Sequence, residues 1–333
     1  LRNFGEKYIK SIMSKYILDF ELPLKELEDK IESLKSTSRK TGVDVSSGIE
    51  KLNNELGESK KLIYDNLTRW ERLQLARHPK RPYASDYISR ITDEWIELHG
   101  DRYFGDDSAI VGGIGKIQGQ SFIIIGQEKG RGTKNKLFRN FGMTRPEGYR
   151  KALRLMKLAE KFQIPILTII DTIGAYPGLG AEERGQAEAI ARNLYNMSLL
   201  ETPIISFVIG EGASGGALGI GLADKLLCFE NTWYSVISPE GCASILFRDP
   251  SRAKEAADAM KVTAEDLYNF GIADKLIKEP PGGAHSDYNM AANILKENVL
   301  EQYELLKPIS KEELVDRRMK KYETVGQWEE DNG

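Results

Sequence analysis

Apolar residues recur at helical spacing early in the chain: Leu24, Leu27, Ile31 and Leu34 follow Pro23, a residue suited to a first helical turn. The spacing predicts one helix there, then a polar break at Ser36–Ser47. A second helical run covers Ile49–Arg77 and stops at His78–Pro82, and a third covers Ala84–Leu98. Charged residues dominate the other faces. Residues 1–98 therefore read as a helical region, either a partner-binding layer or a solvated hairpin. Within it, 1–12 reads as an upstream extension with Met13 as a candidate start, since Leu1–Ile12 lacks the apolar core of a signal peptide.

The pattern changes near Gly100. Ala109–Ile117 and Ser121–Gln127 are β-rich runs joined at Gln118–Gly119–Gln120, a hairpin pattern. From Pro146 the chain alternates. Helical patterns at Pro146–Phe162 and Glu182–Leu200 separate short apolar runs at Pro165–Ile170 and Pro203–Ile209, which read as buried strands. Strands at Leu226–Phe229, Trp233–Ile237 and Lys275–Ile277 flank helices at Pro239–Phe247, Ser251–Met260 and Thr263–Phe270. Such alternation predicts a layered α/β unit with mostly parallel strands over 99–288. Residues 289–333 read as C-terminal helices and a tail frayed from Thr324.

Composition narrows the classes. The 333 residues carry a formal net charge of -3, which argues against a nucleic-acid binder. No apolar run is long enough to span a membrane. The two cysteines, Cys228 and Cys242, form no C-x-x-C pair, so a structural zinc site in this chain is not expected.

The chemistry concentrates in two glycine loops. Each leaves a buried strand and enters a helix. The first is Asp171-Thr172-Ile173-Gly174-Ala175-Tyr176-Pro177-Gly178, and the second Gly210-Glu211-Gly212-Ala213-Ser214-Gly215-Gly216-Ala217. Glycine lets a ligand approach backbone amides, and a helix start offers unpaired N–H donors. Side by side, the loops would form a cleft that stabilises a developing oxyanion without a titrating side chain. Their glycines could instead serve only strand–helix packing.

Other patterns compete. Gly212-Ala213-Ser214-Gly215-Gly216 formally matches a nucleophile elbow, with Ser214 as nucleophile and His285 as the one histidine after it. Gly112-Gly113-Ile114-Gly115 falls short of a dinucleotide fingerprint, because strand-like residues follow it. Gly130–Lys136 lacks the ending of a P-loop. Lys129, Arg131 and Lys134 cluster there with Lys136 and Arg139, and suit either a CoA phosphate tail or a solvated basic loop. Asp106 and Asp107 read as turn-shaping residues, and His78, His99 and His285 as structural.

With these segments in hand, the chain resembles the alpha subunits of multi-subunit acetyl-CoA carboxylase carboxyltransferases, from about Tyr16 to Arg318. The resemblance lies in Arg139–Met143 leading into Pro146–Leu155, in Gly174–Gly178 with Gly180–Gln186, in Gly210–Leu218, and in Tyr234–Leu246. It implies a crotonase-like (ClpP/crotonase) stacked β-β-α superhelix with an N-terminal helical extension. It implies transfer of a carboxyl group from carboxybiotin on a biotin carboxyl carrier protein to acetyl-CoA, giving malonyl-CoA for fatty acid biosynthesis. A carboxyltransferase beta subunit would complete an α2β2 assembly and carry the zinc, with biotin carboxylase as a further partner. No cofactor would be bound covalently to this chain, and no membrane or nucleic-acid partner is implied. The setting would be the cytoplasm, or the plastid stroma in a plastid-bearing source. By the same resemblance, Gly215 and Gly216 supply the oxyanion amides, and Gly174, Ala175, Tyr176, Gly212 and Ala213 line the carboxybiotin wall. Gly216→Val would then remove transfer and leave assembly intact. Two residues depart from the family pattern: Ile173 stands where proline is usual, and Ala213 where glycine is common. A positive φ at 213 would strain alanine. A crotonase-type hydratase or isomerase, with Glu211 or Glu240 as its acid/base, and a non-catalytic scaffold are the alternatives.

Overall fold

The computed structural model describes residues 17–326. The proposed extension at 1–12, Met13 and the end of the tail lie outside the described residues.

An antiparallel helical pair opens the chain, α1 (Leu22–Thr41) and α2 (Ser46–Asp65). Leu24, Leu27 and Ile31 of α1 are buried, as their spacing requires. The helix runs on through the expected polar break to Gly42, whose φ of 71° ends it. The long second run also divides. Thr68 and Glu71 form a reciprocal cap that starts α3 (Arg69–Ala76) afresh. The third run is α4 (Ala84–Ile91), shorter than expected: Glu94–Glu97 is strand β1.

Strand β1 lies antiparallel to β2 (Ile110–Ile117), which forms a hairpin with β3 (Gln120–Gln127). Gln118 and Gly119 have φ of 48° and 79°, as a tight two-residue turn demands. The glycines once weighed as a dinucleotide fingerprint serve packing. A Cβ at Gly113 would stand 2.0 Å from the Ile96 carbonyl oxygen, so β1 can dock only against glycine.

From β3 the sheet is parallel through β4 (Ile166–Thr172), β5 (Ile204–Ala213), β6 (Lys225–Phe229) and β8 (Lys275–Ile277), while β7 (Trp233–Ser235) pairs with the end of β5. Strands β3–β5 are apolar on both faces because both faces are covered. One face packs on α4 and on α13 (Tyr288–Leu306). The other packs on α6 (Pro146–Phe162) and α8 (Gln186–Leu199). Between β3 and α6 comes α5 (Gly132–Phe138), absent from the expected elements. The helix expected at Glu182–Leu200 is two: α7 (Leu179–Glu183) and α8, divided at Gly185 with φ 80°.

After β5 come α9 (Ser214–Leu218), then α10 (Pro239–Leu246), α11 (Ala253–Met260) and α12 (Ala264–Asn269), and α14 (Lys311–Glu323) follows α13 among the described residues. Arg318 of α14 is fully buried and ties this end to the core. Its guanidinium donates to both oxygens of Asp224 at 2.8 and 2.9 Å and to the carbonyls of Met197, Leu200 and Thr202 at 2.8, 2.8 and 3.1 Å. Among the described residues no helix is long and apolar enough to cross a membrane.

Candidate active site

The two glycine loops leave the carboxyl ends of adjacent parallel strands. Thr172 of β4 and Gly212 of β5 stand opposite one another, after a register shift that follows Ile170. This is where open α/β sheets place ligands.

The second loop turns directly into α9. Ala213, the N-cap, has φ -101° and ψ 130°, so alanine meets no strain there. The positive φ falls instead on Ser214, at 58°. No side chain caps α9, and its first amides have no acceptor within the helix. Gly215 is half-buried, with no atom nearer than 3.7 Å to the place of a Cβ. Gly216 differs. It is buried, and a Cβ there would stand 2.3 Å from the Gly174 carbonyl carbon and 2.4 Å from the Ala175 nitrogen. Its own carbonyl accepts from Gln127 Nε2 at 2.7 Å and Tyr149 Oη at 3.1 Å. Both donors escaped sequence reasoning. Gln127 ends the apolar run Phe122–Gly126, and a polar residue closing a buried strand was the available signal.

The first loop is held from behind. Thr172 Oγ1 donates to the Gly142 carbonyl at 2.6 Å and accepts from the Gly174 amide at 3.1 Å. Tyr176 N–H donates to the Thr144 carbonyl at 3.0 Å, and the Arg145 guanidinium lies 4.6 Å from the Tyr176 ring centre. Ala175 and Tyr176 are half-buried, and Ile173 is exposed. Thus Gly174, Ala175, Tyr176, Gly215 and Gly216 come together. Gly212 and Ala213 are buried and paired in the ladder with Tyr234 and Ser235 of β7, at the root of the second loop.

The basic candidates separate too. Lys129 does not reach outward toward a phosphate. Its Nζ sits 2.6 Å from Asp171 and 2.6 Å from Glu211. Arg131 pairs with Asp86 and stacks 4.6 Å over Tyr83. Lys134, exposed on α5, remains available to an anion.

Glu211 and Glu240 are poorly placed as an acid/base pair. Arg77 binds Glu211 at 2.7 Å and Glu240 at 2.6 Å. Burial pushes the Glu211 carboxyl up, but Lys129 and Arg77 outweigh it and hold the group below its usual range. Nor does Ser214 have a triad. His285 is stacked on His78 at 3.9 Å and lies 4.0 Å from Glu21 of the N-terminal region. The turn before the hairpin is as expected: Asp106 takes His99 and Lys151, and Asp107 caps the Ala109 and Arg145 amides.

The chain and its fold have known relatives. A family model described as acetyl co-enzyme A carboxylase carboxyltransferase-like matches residues 17–326. An acetyl-coenzyme A carboxylase carboxyl transferase subunit alpha of Flavobacterium johnsoniae is 54% identical over 314 residues, covering 94% of this chain and 99% of that one. The subunit of the same name in Staphylococcus saprophyticus is 52% identical over 314 residues, covering 94% of this chain and all of its own. Among solved structures, the transcarboxylase 12S core with methylmalonyl-coenzyme A bound aligns with a TM-score of 0.56 at 19% identity, over 68% of this chain and 42% of that chain. A Pseudomonas malonate decarboxylase hetero-tetramer in complex with coenzyme A gives a TM-score of 0.56 at 14% identity, over 70% of this chain and 91% of that chain. At such identities these two likenesses speak for the fold alone.

Proposed function

Because the chain belongs to the acetyl-CoA carboxylase carboxyltransferase alpha-subunit family, we propose that its Gly215 and Gly216 amides stabilise the oxygen that gains negative charge as the carboxyl group leaves carboxybiotin. The chain is the alpha part of an enzyme that moves this carboxyl group to acetyl-CoA and yields malonyl-CoA. The bond from the ureido nitrogen to the carboxyl carbon breaks, a bond to the acetyl methyl carbon forms, and the methyl proton passes to the ureido group.

One observation carries the assignment of the amides. α9 begins uncapped at the mouth of two joined loops, where the space at Gly174 is open and a Cβ at Gly215 would only touch Ile190 at 3.7 Å. Donors fixed before the reaction can supply several kcal/mol to a developing oxyanion. Gly174, Ala175 and Tyr176 would form the adjoining wall. Lys134 is the remaining candidate for a CoA phosphate.

The carboxylates nearest the cleft are committed to ion pairs, which favours a site completed by another chain. The elements around it also leave Phe141, Ile173, Leu179 and Leu218 at least 39% exposed, an apolar rim suited to a partner surface. The partners this reading requires are a zinc-bearing beta subunit in an α2β2 assembly, a biotin carboxyl carrier protein and biotin carboxylase, acting in the cytoplasm or a plastid stroma. The test is reconstitution. Malonyl-CoA should form only when the purified chain is mixed with a beta subunit and carboxybiotin, and robust formation by the single chain would overturn the composite site.

A further inference from the structure

Three adjacent strands each end near a charged side chain: Lys129 follows β3, Asp171 lies in β4, and Glu211 lies in β5. Asp171 opens the first glycine loop and Glu211 is the second residue of the other. Asp171 is 1% exposed and Glu211 5%. The Lys129 ammonium lies between them, 2.6 Å from each carboxylate, with its side chain 12% exposed. Asp171 also accepts the Glu211 amide at 2.9 Å, in space that a side chain at Gly210 would fill: a Cβ there would be 2.4 Å from Asp171 Oδ1. Arg77 extends the chain of charges from Glu211 to Glu240 at the start of α10. Lys136, His78 and Tyr83 line the small cavity of about 180 Å³ outside this cluster.

We propose that Lys129 is a positioning residue for carboxyl transfer, whose buried ammonium holds the roots of both glycine loops together and so fixes the Gly215–Gly216 amides against Gly174–Ala175. The inference rests on the reading of those amides given above. Without the lysine, two buried carboxylates face each other across adjacent strands, with Arg77 paired to Glu211 and the Arg81 guanidinium, already bound to Glu279, as the remaining cations near them. Like charges in that setting repel strongly, and a buried charge stripped of its partner is costly. Relief comes by spreading the strand ends. Spreading them displaces Gly216 from Gly174, and a misplacement of about 1 Å near reacting groups can cost about 10²-fold in rate. Lys129 touches no reacting atom in this account. It acts through Asp171 and Glu211.

The test compares Lys129→Met and Lys129→Arg in the enzyme assembled with its beta subunit. For Lys129→Met, kcat should fall about 10²-fold while the KM for acetyl-CoA stays within about twofold, the signature of lost transition-state alignment. Lys129→Arg keeps the charge and should recover most of the rate. Amide hydrogen exchange at 172–176 and 213–217 should quicken in Lys129→Met and not in Lys129→Arg. Wild-type kcat in Lys129→Met, a raised KM with unchanged kcat, or unchanged exchange would overturn the proposal. If Lys129→Met does not assemble, Asp171→Asn keeps the shape and an acceptor for the Glu211 amide. It should lose about tenfold in kcat with the same faster exchange, and no change in either would overturn the proposal. Should the wild-type assembly itself fail to transfer carboxyl groups, the functional reading falls, and the exchange comparison still decides the role of Lys129.

Discussion

Gly216 and Gly174 meet backbone to backbone: a Cβ on Gly216 would lie 2.3 Å from the Gly174 carbonyl carbon. At Gly215, one residue earlier, a Cβ would meet only the Ile190 side chain, at an ordinary contact distance of 3.7 Å. The pair therefore separates packing from chemistry. Gly216→Val should destabilise the fold by about 1–3 kcal/mol or more, the usual cost of forcing atoms into a filled core. Gly215→Ala should leave stability within about 0.5 kcal/mol, because its methyl only touches Ile190 at 3.7 Å, so a slowed transfer in that variant would report on the amide loop itself. Urea unfolding midpoints beside transfer rates check both. Equal loss of stability in the two variants would contradict the contact.

Ser214 is the residue that carries the positive φ of the second loop, at 58°. A non-glycine residue in that region costs about 1 kcal/mol. Ser214→Gly should accordingly be neutral or stabilising by up to about 1 kcal/mol in thermal unfolding. Ser214→Ala should keep its transfer rate within about twofold, since no histidine is placed to activate the hydroxyl. A loss of several orders of magnitude in Ser214→Ala would restore the nucleophile.

Much of this arrangement is visible in the residues themselves. The buried strands declare themselves as short apolar runs rich in β-branched residues, such as Pro165–Ile170, and the loops as glycines between strand and helix. What failed depended on contacts between distant segments. Trp95 and Ile96 fit a helix of 84–98 by spacing, yet bare glycines at 113 and 115 offer a strand edge that wins. Nothing local announces that β7 pairs over Gly212 and Ala213. Lys129 reads as a basic surface residue because its two carboxylates lie 42 and 82 positions away. Gly216→Val seemed a clean test of function for the same reason: its clash is with a loop in another part of the chain.

His285 gives a pH dependence. Burial and the neighbouring His78, Arg81, Lys60 and Lys80 lower its pKa from the usual 6.5 to about 3. The folded chain therefore keeps this ring neutral while the unfolded chain protonates it. Nothing is lost above pH 6.5, and stability falls as pH drops from there toward 3. The slope approaches about 1.4 kcal/mol per pH unit, or about 2 kcal/mol between pH 7 and pH 5. His285→Leu should flatten that slope in urea titrations at the two pH values. An unchanged slope would mean that the ring takes its proton in the folded state.

Arg318 uses every guanidinium N–H, on Asp224 and on three carbonyls. Arg318→Ala should cost about 3–5 kcal/mol, the range for breaking a buried pair by removing one partner. The denaturant midpoint should drop without a comparable change in the KM of whatever active assembly survives.

The same residue bears on how the protein is made. Arg318 closes contacts with Met197, Leu200 and Thr202 that lie 121, 118 and 116 positions earlier in the chain. A ribosome releases those carbonyls long before it releases their donor. Until α14 emerges, the segment just before β5 is left with bare acceptors, and Asp224, beyond β5, keeps its bond from the Ile204 amide but lacks its cation. The glycine loop that follows β5 is thus among the parts translated early and secured late, so its seating in the nascent chain waits for α14.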